Sequence, residues 1–144
     1  MSHDPRLWSN EWILPSDFDI VSGLVEEVAA HLDTLGWGFH DSFGVLMALE
    51  EALTNAVRHG NGLDSSKRVR LACHASDQRV GITIADEGPG FNPLDVPDAT
   101  TPENLEKPSG RGILLMRAFM DQVEYAGAGN IVVMHKQRGG VLND

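Results

Sequence analysis

The chain has 144 residues, enough for one domain of ordinary size whose core needs no metal or disulfide staple, and cramped for two. Eleven Lys and Arg against 21 Asp and Glu give a formal charge of −10 and a pI near 4.9, so bare nucleic acid and anionic membranes are poor partners, while a basic protein surface or a charge-neutralised nucleotide fits. The single cysteine, Cys73, cannot pair internally and sits in an apolar run, and no stretch approaches the roughly 20 apolar residues of a membrane span; a cytoplasmic protein with no signal segment is expected.

Residues 1–10 are polar and lack periodicity, which predicts a flexible tail that Trp8 and Trp12 can anchor. Glu11 to Leu14 reads as a short edge strand stopped by Pro15, which has no N–H to donate. Ser16 with Asp19 approximates a capping box for a first helix running to about Leu35, its apolar stripe formed by Ile20, Val21, Leu24, Val25, Val28 and Leu32. Gly36 and Gly38 end it, and Asp41 or Ser42 can cap a second helix from Phe43 to Gly60. There Phe43, Leu46, Met47, Leu49, Leu53, Ala56 and Val57 recur at helical spacings, and Glu51, Asn55 and His59 fall four apart on another stripe.

A polar loop, 61–66, precedes a hairpin in which Val69, Leu71, Cys73 and Ala75, then Val80, Ile82 and Ile84, form the buried face. His74 lies on the polar side, with no second metal ligand at a suitable sequence spacing. Residues 91–109 are irregular and broken by four prolines, the pattern of a lid over a ligand. A third helix opens at Ser109-Gly110-Arg111-Gly112 and runs to about Met120. Strands at 122–126 and 130–136, turning at Gly127 to Gly129, finish the chain. The expected fold is α+β: a single domain over 1–144, a two-layer α/β sandwich with a mixed, mostly antiparallel sheet and its helices on one face.

Three short stretches carry chemistry. Glu51 and Asn55, one helical turn apart, can accept a proton and hold a hard cation such as Mg²⁺, although alone the pair is better read as a solvated helix face. Asp86-x-Gly88-x-Gly90 puts an acid at the end of a strand, able to receive an exocyclic amino group, with glycines that allow a flat ring close to the backbone; a plain turn reads equally well. Ser109-Gly-Arg-Gly112 before a helix offers bare amides and the dipole to phosphate oxygens, with Lys107 and Arg111 adding charge or simply facing solvent.

Together and in this order, EEALTNAVRHG, DEGPGF and SGRGI resemble the GHKL (histidine kinase-like) ATPase superfamily of sensor kinases, gyrase B subunits and mismatch-repair ATPases. Within it, the chain is most similar to the anti-sigma factor serine/threonine kinases. The resemblance implies a Bergerat-type ATP-binding fold with ATP and Mg²⁺ as cofactors. Asn55 would coordinate the metal, Asp86 the adenine amino group, and Gly88 and Gly90 would flank it. Gly110 and Gly112 would wrap the phosphates beside Lys107, Ser109 and Arg111, and Glu51 would be the general base. Arg58 and His59 would reach the phosphates or lid, unless His59 caps the helix and Arg58 is solvated. The implied partners are an antagonist protein and a sigma factor, with no direct nucleic acid and no membrane; a homodimer remains open. A nucleotide-dependent binding module, or a regulator of another partner-switching or two-component pathway, is the alternative. The chain departs from the family in having Asn130 near a place where many relatives carry an adenine-holding threonine, and in Glu50 beside Glu51. The sequence shows no phospho-accepting histidine helix ahead of the motifs, so a complete sensor kinase is not expected.

Overall fold

A computed structural model describes residues 7–90 and 110–139, with only the backbone of Gly110 and Arg111. Five strands, β1 (Trp8–Pro15), β2 (Arg68–Ala75), β3 (Arg79–Ala85), β4 (Gln122–Ala126) and β5 (Ile131–Gln137), form one sheet in the order β1-β2-β3-β5-β4. Helices α1 (Asp19–Thr34), α2 (Phe39–Thr54) and α3 (Gly110–Phe119) complete the architecture. The α+β class is as expected. Every strand pairing is antiparallel, so the sheet is not mixed among the described residues.

Alternation creates the interface between the layers. Val69, Leu71, Cys73 and Ala75 of β2 and Val80, Ile82 and Ile84 of β3 are buried, as are Val132 and Met134 of β5. They meet a core stripe on α2 of Val45, Ala48, Leu49, Ala52 and Leu53, joined by Val21, Leu24, Val28 and Leu32 of α1 and by Ile113 and Met116 of α3. Full burial of a Val, Leu or Ile side chain contributes about 1.5–3 kcal/mol, so this layer holds the helices in place. Burial also pushes the Cys73 thiol up to about 12, which leaves it an inert part of the core. Gly44 on α2 leaves room for Phe119 of α3, whose Cδ1 would lie 3.0 Å from a Cβ there.

Helix ends follow nonlocal bonding more than local signals. Gly36 takes φ +86 after α1; its N–H donates to Asp33 O and that of Trp37 to Leu32 O, each at 3.0 Å, the two bonds of a Schellman motif. At the other end of α1 the expected capping box does not form: the cap position is Phe18 and no side chain caps it. Ser16 is buried instead, its Oγ donating to Lys67 O and accepting from Asn61 Nδ2. The second helix starts at Phe39 rather than Phe43, with Gly38 at the cap. Neither Asp41 nor Ser42 caps it. Asp41 is 5 % exposed and accepts the Gly139 N–H at 2.9 Å, with Lys136 Nζ 4.0 Å away, which ties the end of β5 to the helix start.

β1 begins at Trp8, inside the stretch expected to be a loose tail, because Trp8 stacks on His31 of α1 (ring centroids 4.2 Å apart) and pairs with Ala75. Residues 1–6 of that tail and the whole of the expected lid lie outside the described residues. No helix among the described residues is long and apolar enough to cross a membrane.

Candidate functional site

The stripe of Glu51, Asn55 and His59 does not continue as a regular α-helix. From Asn55 to Gly60 the chain is π-helical, and the Asn61 N–H donates to Ala56 O at 2.9 Å, one residue further back than in an α-helix. Such turns are rare and occur frequently at functional sites. Here the wider turn leads into Asn61, which is 2 % exposed. Its Nδ2 donates to Ser16 Oγ and Arg68 O, and its Oδ1 accepts the Glu87 N–H at 2.7 Å. One buried amide thereby fixes the helix end, the start of β2 and the loop after Asp86. Sequence reading placed Asn61 in a solvated loop, and nothing local marks it otherwise.

Asp86 leaves the end of β3 and is held from both sides. Its N–H donates to Asn130 O at 3.0 Å, and Asn130 Nδ2 donates back to Asp86 O at 3.1 Å. The residue at the expected threonine position therefore orients the Asp86 backbone. The Asp86 Oδ1 accepts the Gly88 N–H at 2.8 Å. Burial pushes this carboxyl above its ordinary value, with the Gly88 bond and Lys67 pulling the other way. The carboxylate lies on Gly60, where a Cβ would overlap its Cγ and come 2.7 Å from Oδ1.

The glycines of the strand-end motif serve the protein's own packing. A Cβ on Gly88 would overlap the Gly60 carbonyl, and one on Gly90, which takes φ +79, would overlap the Ala128 carbonyl. Gly112 differs, because it faces side chains of α2 and the π-helical turn: a Cβ there would overlap Glu51 Oε1 and come 3.6 Å from Asn55 Nδ2. The first turn of α3 thus sits directly over the acid and the amide. Asn55 and Gly60 are roughly 6–8 Å apart along one helical element, so the two clusters adjoin.

Glu51 is half-buried. Burial raises its carboxyl above the ordinary value, His59 opposing and Glu50 reinforcing the shift. Tyr125 of β4, which sequence reading passed over, lies within electrostatic range: burial pushes its hydroxyl up to about 12, Arg117 pulling down and Glu51 adding to the rise. An aromatic in a short alternating strand carries no signal of such a position. Asn55 Nδ2 and His59 Nδ1 are buried without a hydrogen-bond partner among the described residues. Orphaned buried polar atoms are rare, and a bound ion or water is one physical account of them. A half-turn of the Asn55 amide exchanges its nitrogen for its oxygen, the group a hard cation takes. No cluster of three His, Cys, Asp or Glu that could cage a metal exists among the described residues. The donor set fits Mg²⁺, which keeps several waters and uses few protein ligands beside substrate phosphates.

Of the other expected site residues, Gly110 and Arg111 open α3 with their backbone, Arg58 and His59 lie on the π-helical turn, and Lys107 and Ser109 fall outside the described residues.

The sequence profile of the histidine kinase-like ATPase domain matches residues 14–136. The chain is 36 % identical over 96 residues to an anti-sigma F factor of Oceanobacillus iheyensis, covering 62 % of this chain and 64 % of that protein. It is 31 % identical over 117 residues to an anti-sigma F factor of Clostridium perfringens, covering 76 % of this chain and 82 % of that protein. A serine-protein kinase RsbW of Oceanobacillus iheyensis is 26 % identical over 106 residues, covering 69 % of this chain and 67 % of that one. The crystal structure of the RsbU and RsbW domains of a Mycobacterium tuberculosis protein shares the fold at a TM-score of 0.62 and 15 % identity, over 91 % of this chain and 32 % of that longer one. The chain belongs to the histidine kinase-like ATPase domain family, on the branch of the anti-sigma F factors.

Proposed function

We propose that this chain is an ATP-dependent protein serine/threonine kinase of the anti-sigma type, which phosphorylates a small antagonist protein and in another state holds a sigma factor. The observation that carries the reading is the approach of Gly112 to Glu51 and Asn55, which brings a base, a metal-holding amide and a glycine-led helix start together. The names of the relatives support it: they are anti-sigma F factors and a serine-protein kinase.

In this reading Asp86 accepts the amino group of adenine, and the amides of Gly110 and Gly112 receive phosphate oxygens at the positive end of α3. Arg58 and His59 reach the phosphates from the π-helical turn. Asn55 would hold Mg²⁺, which when bound would supply neutralisation of phosphate charge. Glu51 accepts the proton of the substrate hydroxyl as that oxygen bonds to the γ-phosphorus and the bond to the departing ADP oxygen breaks. Burial raises its pKa, which makes it a stronger base than an exposed carboxylate.

The test is capture of partners from the native lysate on the immobilised chain with ATP or ADP, followed by phosphosite mapping. The wild type is expected to yield a retained protein with a modified serine or threonine. Glu51→Gln is expected to bind ATP normally by calorimetry and to slow transfer by about 10²–10⁴-fold. Failure of ATP to bind, or undiminished transfer by Glu51→Gln, would overturn the assignment.

A further inference from the structure

The sheet face opposite the helices carries a feature that the nucleotide site does not use. His74 of β2, Gly81 of β3 and His135 of β5 stand directly opposite one another in register, a single row across three strands. Adjacent strands are roughly 4.8 Å apart, which puts the backbones of the two histidines roughly 10 Å apart. Their ring centroids are nevertheless only 6.2 Å apart. The imidazoles therefore lean toward each other over the middle strand, and Gly81 makes this possible: a Cβ there would overlap Nε2 and Cε1 of His74.

The ring planes are inclined at 54°, which is no stacking arrangement. A metal bonded through an imidazole nitrogen at 2.0–2.1 Å sits roughly 3.2 Å from that ring's centre, so two rings sharing one ion have centres roughly 5–6.5 Å apart. The observed separation falls in that interval. The net charge of −10 favours cations generally.

We propose that His74 and His135 form a surface site for a borderline divalent transition-metal ion such as Zn²⁺, with solvent filling the remaining coordination positions. Imidazole selects Zn²⁺ and its neighbours over Mg²⁺, so this site and the Mg²⁺ expected at Asn55 do not compete for one ion. The ion bridges β2 and β5 across β3.

Zn²⁺ is titrated into the intact chain while the imidazole signals of its six histidines are followed by NMR and the heat by calorimetry. His74 and His135 are expected to shift together at one Zn²⁺ per chain. His74→Ala and His135→Ala should each weaken that event at least about tenfold, the loss seen when metal-site residues are removed. Gly81→Ala keeps both ligands and should weaken it comparably, because the added methyl occupies the place of the His74 ring. Zn²⁺ shifting only one of the two histidines, or affinity unchanged in Gly81→Ala or in either histidine variant, would overturn the site. A fold check by circular dichroism separates ligand loss from unfolding, and the exposed position of His74 makes its replacement structurally mild.

Discussion

Gly112, in the first turn of α3, lies so close to Glu51 on α2 that a Cβ at the glycine would overlap the Oε1 of the carboxylate. The obstructed atom is the end of a flexible side chain, so Gly112→Ala should move Glu51 rather than the backbone. A helix gains up to about 1 kcal/mol from Gly→Ala, which offsets the local crowding. The expected result is a nearly unchanged melting temperature with phosphoryl transfer down by about tenfold or more, since small misplacement of a reacting group is costly. A full-rate Gly112→Ala would contradict the contact.

Gly88→Ala should behave in the opposite way. Its Cβ would overlap the carbonyl of Gly60, which is backbone and cannot swing aside. A loss of about 1–3 kcal/mol is expected by urea denaturation, together with weakened ATP binding, because the same loop carries Asp86. Stability equal to the parent would show that the loop has room to yield.

Removing the Asn61 side chain strips partners from Ser16, Arg68 and Glu87 at once. Buried groups left unpaired cost about 1–3 kcal/mol each. Asn61→Ala is therefore expected to be among the more damaging single changes outside the apolar core, at about 3 kcal/mol or more in chemical unfolding. A loss below about 1 kcal/mol would mean that water replaces the amide.

The raised pKa of Glu51 fixes the sign of a pH effect. In the folded chain its ionised form is disfavoured, so the charge weakens the fold once pH rises above the ordinary value of 4.5 and ceases to matter below it. Glu51→Gln removes that penalty. Its melting temperature should exceed the parent's at pH 7, and the gap should close as pH falls to about 4. Calorimetry over this range is the check, and a variant less stable than the parent at pH 7 would reverse the conclusion.

Much of the fold was legible where local pattern and tertiary role coincide. β2 and β3 alternate with period two because one face is buried, and α2 shows its stripe for the same reason. The misreadings share one cause, which is bonding to distant residues. Ser16 looks like a helix cap until Lys67 and Asn61 claim it, and Asp41 looks like another until Gly139 does. The start of β1 is polar in Ser9, Asn10 and Glu11 since it is an edge, so only Trp8 and its pairing with Ala75 reveal the strand. At the candidate site, Glu51, Asn55, Asp86 and Gly112 stand out in the sequence only through the order of the three motifs together and the resemblance that order carries. The supporting residues Asn61, Tyr125 and Asn130 belong to no local pattern, and the π-helical turn follows from tertiary contacts that the composition of NAVRHG does not announce.

The position of Asn61 also bears on how this protein ages. It is followed by Gly62, and an asparagine before glycine is the pair in which the next backbone nitrogen most readily attacks the side chain, expelling ammonia and leaving aspartate or its isomer. In the folded chain that amide is engaged at both its nitrogen and its oxygen and shut away from solvent, so the reaction waits for the segment to open. Deamidation at this one bond would thus proceed only as often as the segment that joins the helix end, β2 and the loop after Asp86 comes open.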